Sequence, residues 1–273
     1  MVDRRLNGDG MDGETPVEQP HTSRIYDYFL GGKDNYEADR QAAEEILRAW
    51  PDIRIAARVN RRFMHRSTRF LAEAGIRQFL DIGTGIPTEP NLHQIAQQVA
   101  PDARVVYVDN DPLVLAHARA LMTGSEQGAT TYIEGDVTDP DAILRDPELL
   151  GSLDLSRPVG LSMIALLHFV ELSVDQIVKT FLDALAPGSH LVICTITADF
   201  APEQVRAAQE VYRIRKLPAL VRTRQEVTSW FTGLDLVAPG IVPPHRWHLM
   251  EAAAISPSFD AKVSCYCGVA RKP

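Results

Sequence analysis

The chain has 273 residues, a hydrophobic fraction of 45% and a formal net charge of -8. The acidic balance argues against a general nucleic-acid-binding protein, which needs basic surface to replace the counterions of the phosphates. The three cysteines are too few for a disulfide scaffold.

The first 20 residues contain no apolar signal region, and no run approaches the length of about 20 apolar residues that spans a bilayer. We therefore expect a cytoplasmic protein with no membrane partner, with reduced, buried cysteines and no metal. Residues 1–20 are rich in Gly, Asp and Pro, which predicts a disordered tail. The sequence indicates no oligomeric state.

Three helices are predicted before any strand. The first covers 24–30 and ends at Gly31 and Gly32, the second covers 37–50, and a long third helix covers 52–74. Apolar side chains recur at helical spacing along the third helix, and six arginines occupy its other face. We expect residues 21–75 to form a helical cap that precedes a main domain of residues 76–273.

From residue 77 the pattern changes to short apolar runs separated by helical segments. The runs are "RQFLDIG", "ARVVYVDND", "TTYIEGD", "PVGLSMIALL" and "SHLVICTIT", and the helices between them are predicted at 88–100, 112–122, 141–150 and 173–185. This alternation is typical of a parallel sheet with helices on both faces. Two further runs, "LDLVAPGIVP" and "KVSCYCGVARK", have no obvious helix between them, so we expect an antiparallel hairpin to complete a seven-stranded sheet.

A glycine turn, "LDIGTGIPT", joins the first strand to the next helix. Gly83, Thr84 and Gly85 allow the backbone to approach a ligand closely, and Pro87 replaces a later glycine of the dinucleotide pattern. Asp81 lies just before the turn, where its carboxylate would repel a pyrophosphate but attract an ammonium group. This favours S-adenosylmethionine (SAM) over NAD as the ligand.

Acidic residues also end the second and third strands. Asp109, followed by Asn110, is placed to accept the ribose hydroxyls, and Asp136 with the Val137 amide is placed to bind adenine. Each aspartate alone is as well explained by a turn or a helix cap. Three of them at successive strand ends, after a glycine turn, favour a binding site at the carboxyl edge of the sheet.

Longer stretches resemble a known family. "SRIYDYFLGGKDNYEAD", "NRRFMHRSTRFLAEAGIRQFLDIGTGIPT" and "YVDNDPLVLAHARALM" are similar to the bacterial S-adenosyl methyltransferase family, a branch of the class I SAM-dependent methyltransferases. The resemblance implies a Rossmann-like α/β fold and SAM as the cofactor, and it covers residue 20 to the C-terminus. It also implies that residues 199–222 form an insertion that covers the substrate.

The fourth strand ends in "ALLHFV", which is similar to the region beside the transferred methyl group in small-molecule O- and C-methyltransferases. His168 is therefore a candidate general base. The alternative is a histidine that only lines the pocket or caps a helix. An Asn/Asp-Pro-Pro-Tyr motif is absent from the sequence, which disfavours methylation of nucleic-acid bases.

The segment "YDYFLGGKDNYEADR" is a candidate lid. We expect Asp34, Asn35 and Tyr36 to touch the methionine part of the cofactor or the acceptor, with Tyr26 close to them. The alternative is a connector whose tyrosines are buried for packing.

Four further residues are candidate substrate contacts: Asn60, Arg61, Tyr212 and Trp247. For Arg61 and its neighbouring arginines a solvated face is the alternative, and for Trp247 it is core packing.

The sequence thus predicts a SAM-dependent methyltransferase that acts on a small molecule by O- or C-methylation. Three alternatives stay open at this point: a SAM-binding module without transfer, an NAD-dependent oxidoreductase and a protein methyltransferase.

Overall fold

The structure is a computed structural model that describes residues 19–121, 125–248 and 256–273, with the backbone alone for 117–121. Residues 1–18 of the predicted tail lie outside the described residues, so its disorder stays a prediction. Within the described ranges, no helix is both long enough and apolar enough to cross a bilayer.

Seven strands in the described residues form one sheet. They are β1 (Gln78–Ile82), β2 (Arg104–Asp109), β3 (Ala129–Glu134), β4 (Gly160–Ile164), β5 (His190–Ile196), β6 (Asp235–Leu236) and β7 (Cys265–Arg271). Their order is β3-β2-β1-β4-β5-β7-β6. β1 to β5 pair in parallel, whereas β7 is antiparallel to both β5 and β6. This confirms the predicted seven-stranded, mostly parallel Rossmann-like sheet.

Helices cover both faces of the sheet, because successive strand residues bury their side chains on opposite sides. Leu80 and Leu161 belong to one apolar layer, whereas Phe79 and Val105 belong to the other. The helices that follow β1 in the chain are α4 (Leu92–Val99), α5 (Pro112–Leu121), α6 (Pro140–Leu144), α7 (Pro147–Ser152), α8 (Val174–Ala184), α9 (Pro202–Ile214), α10 (Arg224–Ser229) and α11 (Pro257–Val263).

Three helices precede β1: α1 (Thr22–Leu30), α2 (Glu37–Ala49) and α3 (Ile53–Glu73). They share an apolar cluster with α9, to which Ile46, Trp50 and Tyr212 contribute. The buried ion pair between Arg24 Nε and Asp39 Oδ2, 3.0 Å long, joins α1 to α2. The start of α1 and the middle of α3 lie at the carboxyl ends of the central strands, whereas the second half of α3 packs on one face of the sheet. The domain boundary at residue 75 stays a prediction.

Two predicted helices differ in their bounds. α4 begins at Leu92 instead of Thr88. The reason is Pro90, because a proline disfavours helical geometry at the residue before it. The single helix predicted over 141–150 is two short ones, and the second is capped by Asp146, whose Oδ1 accepts the Glu148 N–H at 2.8 Å.

The predicted final hairpin is also different. β6 has two residues, and α11 lies between β6 and β7, so the expectation of a connection without a helix was wrong. Ser256 Oγ accepts the Phe259 N–H at 3.2 Å and caps α11. This Ser-Pro start was the overlooked signal in the sequence. Residues 249–255 of the connection lie outside the described residues.

Candidate functional site

A cleft lies at the carboxyl ends of the central strands, with about 990 Å³ of empty space including its open mouth. The first four strands all end there, and the carboxyl ends of the strands are where open α/β sheets bind their ligands. Among the residues that line the cleft are ten singled out in the sequence: Tyr26, Asn60, Arg61, Asp81, Gly83, Thr84, Gly85, Asp109, Asn110 and Val137.

The glycine turn forms one wall of the cleft. Gly83 and Gly85 have φ values of 73° and 67°, a left-handed conformation that favours glycine. A Cβ atom on Gly83 would lie 2.7 Å from Leu166 Cδ1, whereas one on Gly85 would meet nothing within 4 Å. The turn therefore favours glycine at 83 for its left-handed φ, a Cβ there would also push the Leu166 side chain aside, and the turn leaves room for a ligand beside Gly85.

Asp109 is buried behind this turn. Its Oδ2 accepts the Gly85 N–H at 2.8 Å and its Oδ1 accepts the Asp111 N–H at 2.9 Å. Burial raises the pKa of Asp109, and these two hydrogen bonds oppose the shift. The carboxylate fixes the turn and also lines the cleft.

Asp81 is half-buried at the end of β1. Burial raises its pKa to about 7, while Arg61 lowers the pKa and Asp109 raises it further. Arg61 itself donates to the carbonyl oxygens of Thr88 and Pro90. At neutral pH the Asp81 carboxyl is therefore poised to ionise when a cation binds beside it.

Asp136 is adjacent to Val137 and Asn110, which line the cleft, but is not itself among the described lining residues. Its Oδ1 accepts the Thr138 N–H at 2.8 Å and its Oδ2 accepts from Asn110 Nδ2 at 3.3 Å. The carboxylate is exposed and its own pKa is lowered, because these hydrogen bonds outweigh its partial burial. In this arrangement Asp136 positions Asn110, and its contact with adenine stays a prediction.

The start of α1 supplies cleft residues that sequence reasoning missed, namely His21, Thr22 and Ser23. His21 Nδ1 lies 3.2 Å from Asp111 Oδ2, and Arg24 Nη1 lies 3.3 Å from the same oxygen. These contacts hold the helix start against the end of β2. A short polar segment next to a predicted tail carries no sequence signal for such a role.

The predicted lid residues lie elsewhere. Asn35 Nδ2 donates to Asp27 Oδ2 at 2.8 Å, the Asp34 N–H donates to the same oxygen at 3.0 Å, and Tyr36 begins α2. Asp34, Asn35 and Tyr36 are absent from the described residues that line the cleft. They form the rigid connector between α1 and α2, which corrects their predicted place at the cofactor.

A second cavity, the apolar pocket, adjoins the cleft and has about 450 Å³ of empty space. The two cavities share Thr22, Tyr26, Asn60, Ala165 and Phe169. The described residues that line the apolar pocket include no Asp, Glu, Lys or Arg. A third cavity, with about 310 Å³ of empty space including its opening, shares six lining residues with the apolar pocket: Trp50, Ile53, His168, Phe169, Ile196 and Tyr212.

His168 lies in this apolar surrounding, in a short 3-10 helix (Leu167–Phe169) after β4. Burial lowers its pKa to about 3, and the charge of Arg222 lowers it further. Its Nδ1 is 3.4 Å from Thr195 Oγ1. Near neutral pH the ring is uncharged, so it can accept a hydrogen bond but is a weak base.

Two other predicted site residues are not at the cleft. Trp247 is fully buried and packs edge-on against Phe63 and Phe70, with ring centroids 5.5 and 5.6 Å away. Its predicted role as a substrate wall gives way to the packing alternative. Pro87 shapes the turn but is not among the described lining residues of either cavity.

Comparisons with known proteins agree with this arrangement. Over residues 11–273 the chain matches the family described as S-adenosyl methyltransferase. The chain belongs to this family. No match was found among proteins of curated function.

Two solved structures are similar to this methyltransferase over nearly their whole length. A DUF574 family protein from Streptomyces avermitilis is 49% identical, with a TM-score of 0.90 and coverage of 94% of this chain and 99% of that one. A putative methyltransferase from Thermobifida fusca is 39% identical, with a TM-score of 0.86 and coverage of 94% and 96%. The protein is thus a SAM-dependent methyltransferase with a Rossmann-like fold.

The cleft fits SAM chemically. The open space beside Gly85 admits a ligand against the backbone, and the two carboxyl groups, Asp81 and Asp109, suit a cation and hydroxyl donors. The Asp81 carboxyl next to the glycine turn separates this set of groups from one built for a pyrophosphate, which an adjacent carboxylate would repel.

Proposed function

We propose that this methyltransferase transfers the methyl group of SAM to an oxygen or carbon atom of a small molecule bound in the apolar pocket. The observation that supports this proposal is the position of that pocket. It adjoins the cleft, shares Tyr26, Asn60 and Phe169 with it, and is lined largely by residues of the N-terminal helices, with Tyr212 of α9.

In this proposal the cofactor lies along the strand ends. Asp81 and the glycine turn hold the methionine end, Asp109 the ribose, and the segment around Val137 the adenine. When bound, SAM would supply an electrophilic methyl group on a positively charged sulfur; the acceptor would provide the electron pair of the new bond, and the sulfur would keep the pair of the old one. The neutral surface of the apolar pocket then excludes water from the acceptor.

His168 has a more limited role here than the general base that the sequence suggested. An imidazole with a pKa of about 3 can align a hydroxyl by accepting its hydrogen bond, but it holds a proton poorly. The acceptor's proton is therefore not held by His168 and is released to solvent when the product leaves. Catalysis depends mainly on placing acceptor and methyl group in line.

The test is a transfer assay with methyl-labelled SAM and a bacterial extract, followed by separation of small molecules, protein and nucleic acid. We expect label in the small-molecule fraction with the wild type and clearly less with Asp109→Ala at a subsaturating concentration of SAM. Asp146→Ala, which changes a helix cap outside the cleft, is the matched control and should label like the wild type. Label confined to protein bands or nucleic acid would contradict the proposal, as would SAM binding without any transfer.

A further inference from the structure

Two polar atoms beside the apolar pocket are buried without a hydrogen-bond partner in the described part of the chain. One is Oδ1 of Asn60, a residue that is 5% exposed, and the other is Nε1 of Trp50, which is 1% exposed. Buried polar groups are almost always paired in native proteins, and an orphan group is destabilising. Among the residues with such orphan atoms, Asn60 and Trp50 are the two that line the apolar pocket, so a ligand bound there is placed to satisfy both once each side chain turns towards it.

The orientation of the Asn60 amide follows from its neighbour. Tyr26 Oη donates its single hydrogen to the Ala57 carbonyl oxygen at 3.1 Å. The Asn60 atom 2.7 Å from Tyr26 Oη must then be the donor, Nδ2. Burial raises the pKa of Tyr26, so the hydroxyl keeps that hydrogen and the arrangement is stable with pH. Asn60 Oδ1 is left as an acceptor that lacks a donor.

The two residues line different ends of the pocket. Asn60 lines both the cleft and the apolar pocket, whereas Trp50 lines the apolar pocket and the third cavity. An acceptor molecule would therefore meet Asn60 on the side of the cofactor and Trp50 on the far side. Because the described lining carries no ionised side chain, a charge on the molecule would be buried unpaired.

We propose that the acceptor is an uncharged, mainly apolar molecule with two polar groups: an O–H or N–H that donates to Asn60 Oδ1 beside the cofactor, and an oxygen that accepts from Trp50 Nε1 at the opposite end. This inference rests on the proposed function, since it assigns the acceptor to the apolar pocket. It makes Asn60 and Trp50 the residues that determine which acceptor binds and which of its ends faces the methyl group.

A matched ligand series tests the wild-type protein. The probes are hydroxytetralone with its two oxygens on opposite rings, tetralone, tetrahydronaphthol, tetralin and tetralin carboxylic acid, titrated calorimetrically into protein saturated with S-adenosylhomocysteine. We expect hydroxytetralone to bind about tenfold more tightly than tetralone or tetrahydronaphthol, with the carboxylic acid weakest. A carboxylic acid that binds as tightly as hydroxytetralone, or no binding by any neutral probe, would overturn the proposal.

Two variants assign the two preferences. Asn60→Leu should abolish the advantage of the hydroxyl group and keep that of the ketone, and Trp50→Phe should do the reverse. Trp230→Phe is the matched control in another part of the core and should keep both. Persistence of the ketone advantage in Trp50→Phe contradicts the inference. If Trp50→Phe does not fold, the probe series and Asn60→Leu still decide it.

The binding readout separates this inference from the proposed function. Asn60→Leu that weakens S-adenosylhomocysteine binding but keeps the hydroxyl preference would assign Oδ1 to the cofactor and refute the inference. Selective binding of the probes without methyl transfer to any small molecule would contradict the proposed function alone. Methyl transfer to a small molecule at rates independent of both side chains would contradict the inference alone.

Discussion

The cleft and the apolar pocket are neighbours, but they differ in the elements that line them and in the polarity of the lining residues. Strand ends form most of the cleft, with the carboxyl groups of Asp81 and Asp109 and the backbone of the glycine turn. The N-terminal helices, the end of β5 and α9 form the apolar pocket, whose described lining has no ionised side chain. In the proposed function the sheet supplies a polar site for the charged cofactor, and elements outside its centre supply a neutral site for the acceptor.

The largest effect is expected where the N-terminal helices are held together. Asp39→Ala should lower the free energy of unfolding by about 3 kcal/mol, because it leaves the Arg24 guanidinium buried without its closest carboxylate. Urea unfolding would measure this loss. Glu37→Ala, an exposed change on the same helix, should leave the unfolding curve in place. Equal effects of the two variants would show that the ion pair does not stabilise this side of the apolar pocket.

The next effect is expected in the cleft alone. Asp109→Ala should weaken SAM binding by about 1–3 kcal/mol, because it removes the acceptor for buried hydroxyl groups and frees the Gly85 N–H. Calorimetric titration measures the affinity, with Asp146→Ala as control. A folded Asp109→Ala protein with the wild-type affinity would rule out the ribose assignment.

A smaller effect concerns pH. Since the Asp81 carboxyl of the free protein has a pKa of about 7, it is mostly protonated below that value and must ionise to hold a cation. SAM affinity should therefore rise about tenfold from about pH 6 to about pH 8. Asp81→Asn should bind more weakly and lose this rise, which also controls for ionisation of the ligand itself. The same pH profile in both proteins would remove Asp81 from the cofactor site.

The smallest effect is expected at the connector between α1 and α2. Tyr36 lies with its ring centroid 5.6 Å from the Arg24 guanidinium carbon, and its N–H donates to Asp39 Oδ2 at 2.8 Å. Tyr36→Ala should cost about 0.5–1 kcal/mol of stability through the lost cation–π contact and leave SAM affinity unchanged. Tyr36→Phe should behave like the wild type in both measurements. A large loss of SAM affinity in Tyr36→Ala would restore the original lid hypothesis.

The residues of the cleft were more predictable from the sequence than those of the apolar pocket, for a physical reason. Parallel strands end at one edge of a sheet, so residues such as Asp81 and Asp109 were expected to meet once the strands were recognised. His21 reaches the same cleft through tertiary packing of a helix start, which no local pattern records. Trp247 illustrates the converse, because an aromatic residue near a loop gives no indication of which face it will occupy.

Gly83 packs against the segment that lies between the two cavities. Leu166 lies so close to it that a methyl group at position 83 would sit 2.7 Å from Leu166 Cδ1. The flanking residue Ala165 and nearby Phe169 line both cavities. A larger residue at position 83 would therefore have to push the Leu166 side chain aside and adopt a left-handed φ of 73°. If the apolar pocket binds the acceptor, a glycine that touches no acceptor then helps to set the shape of the acceptor's binding site.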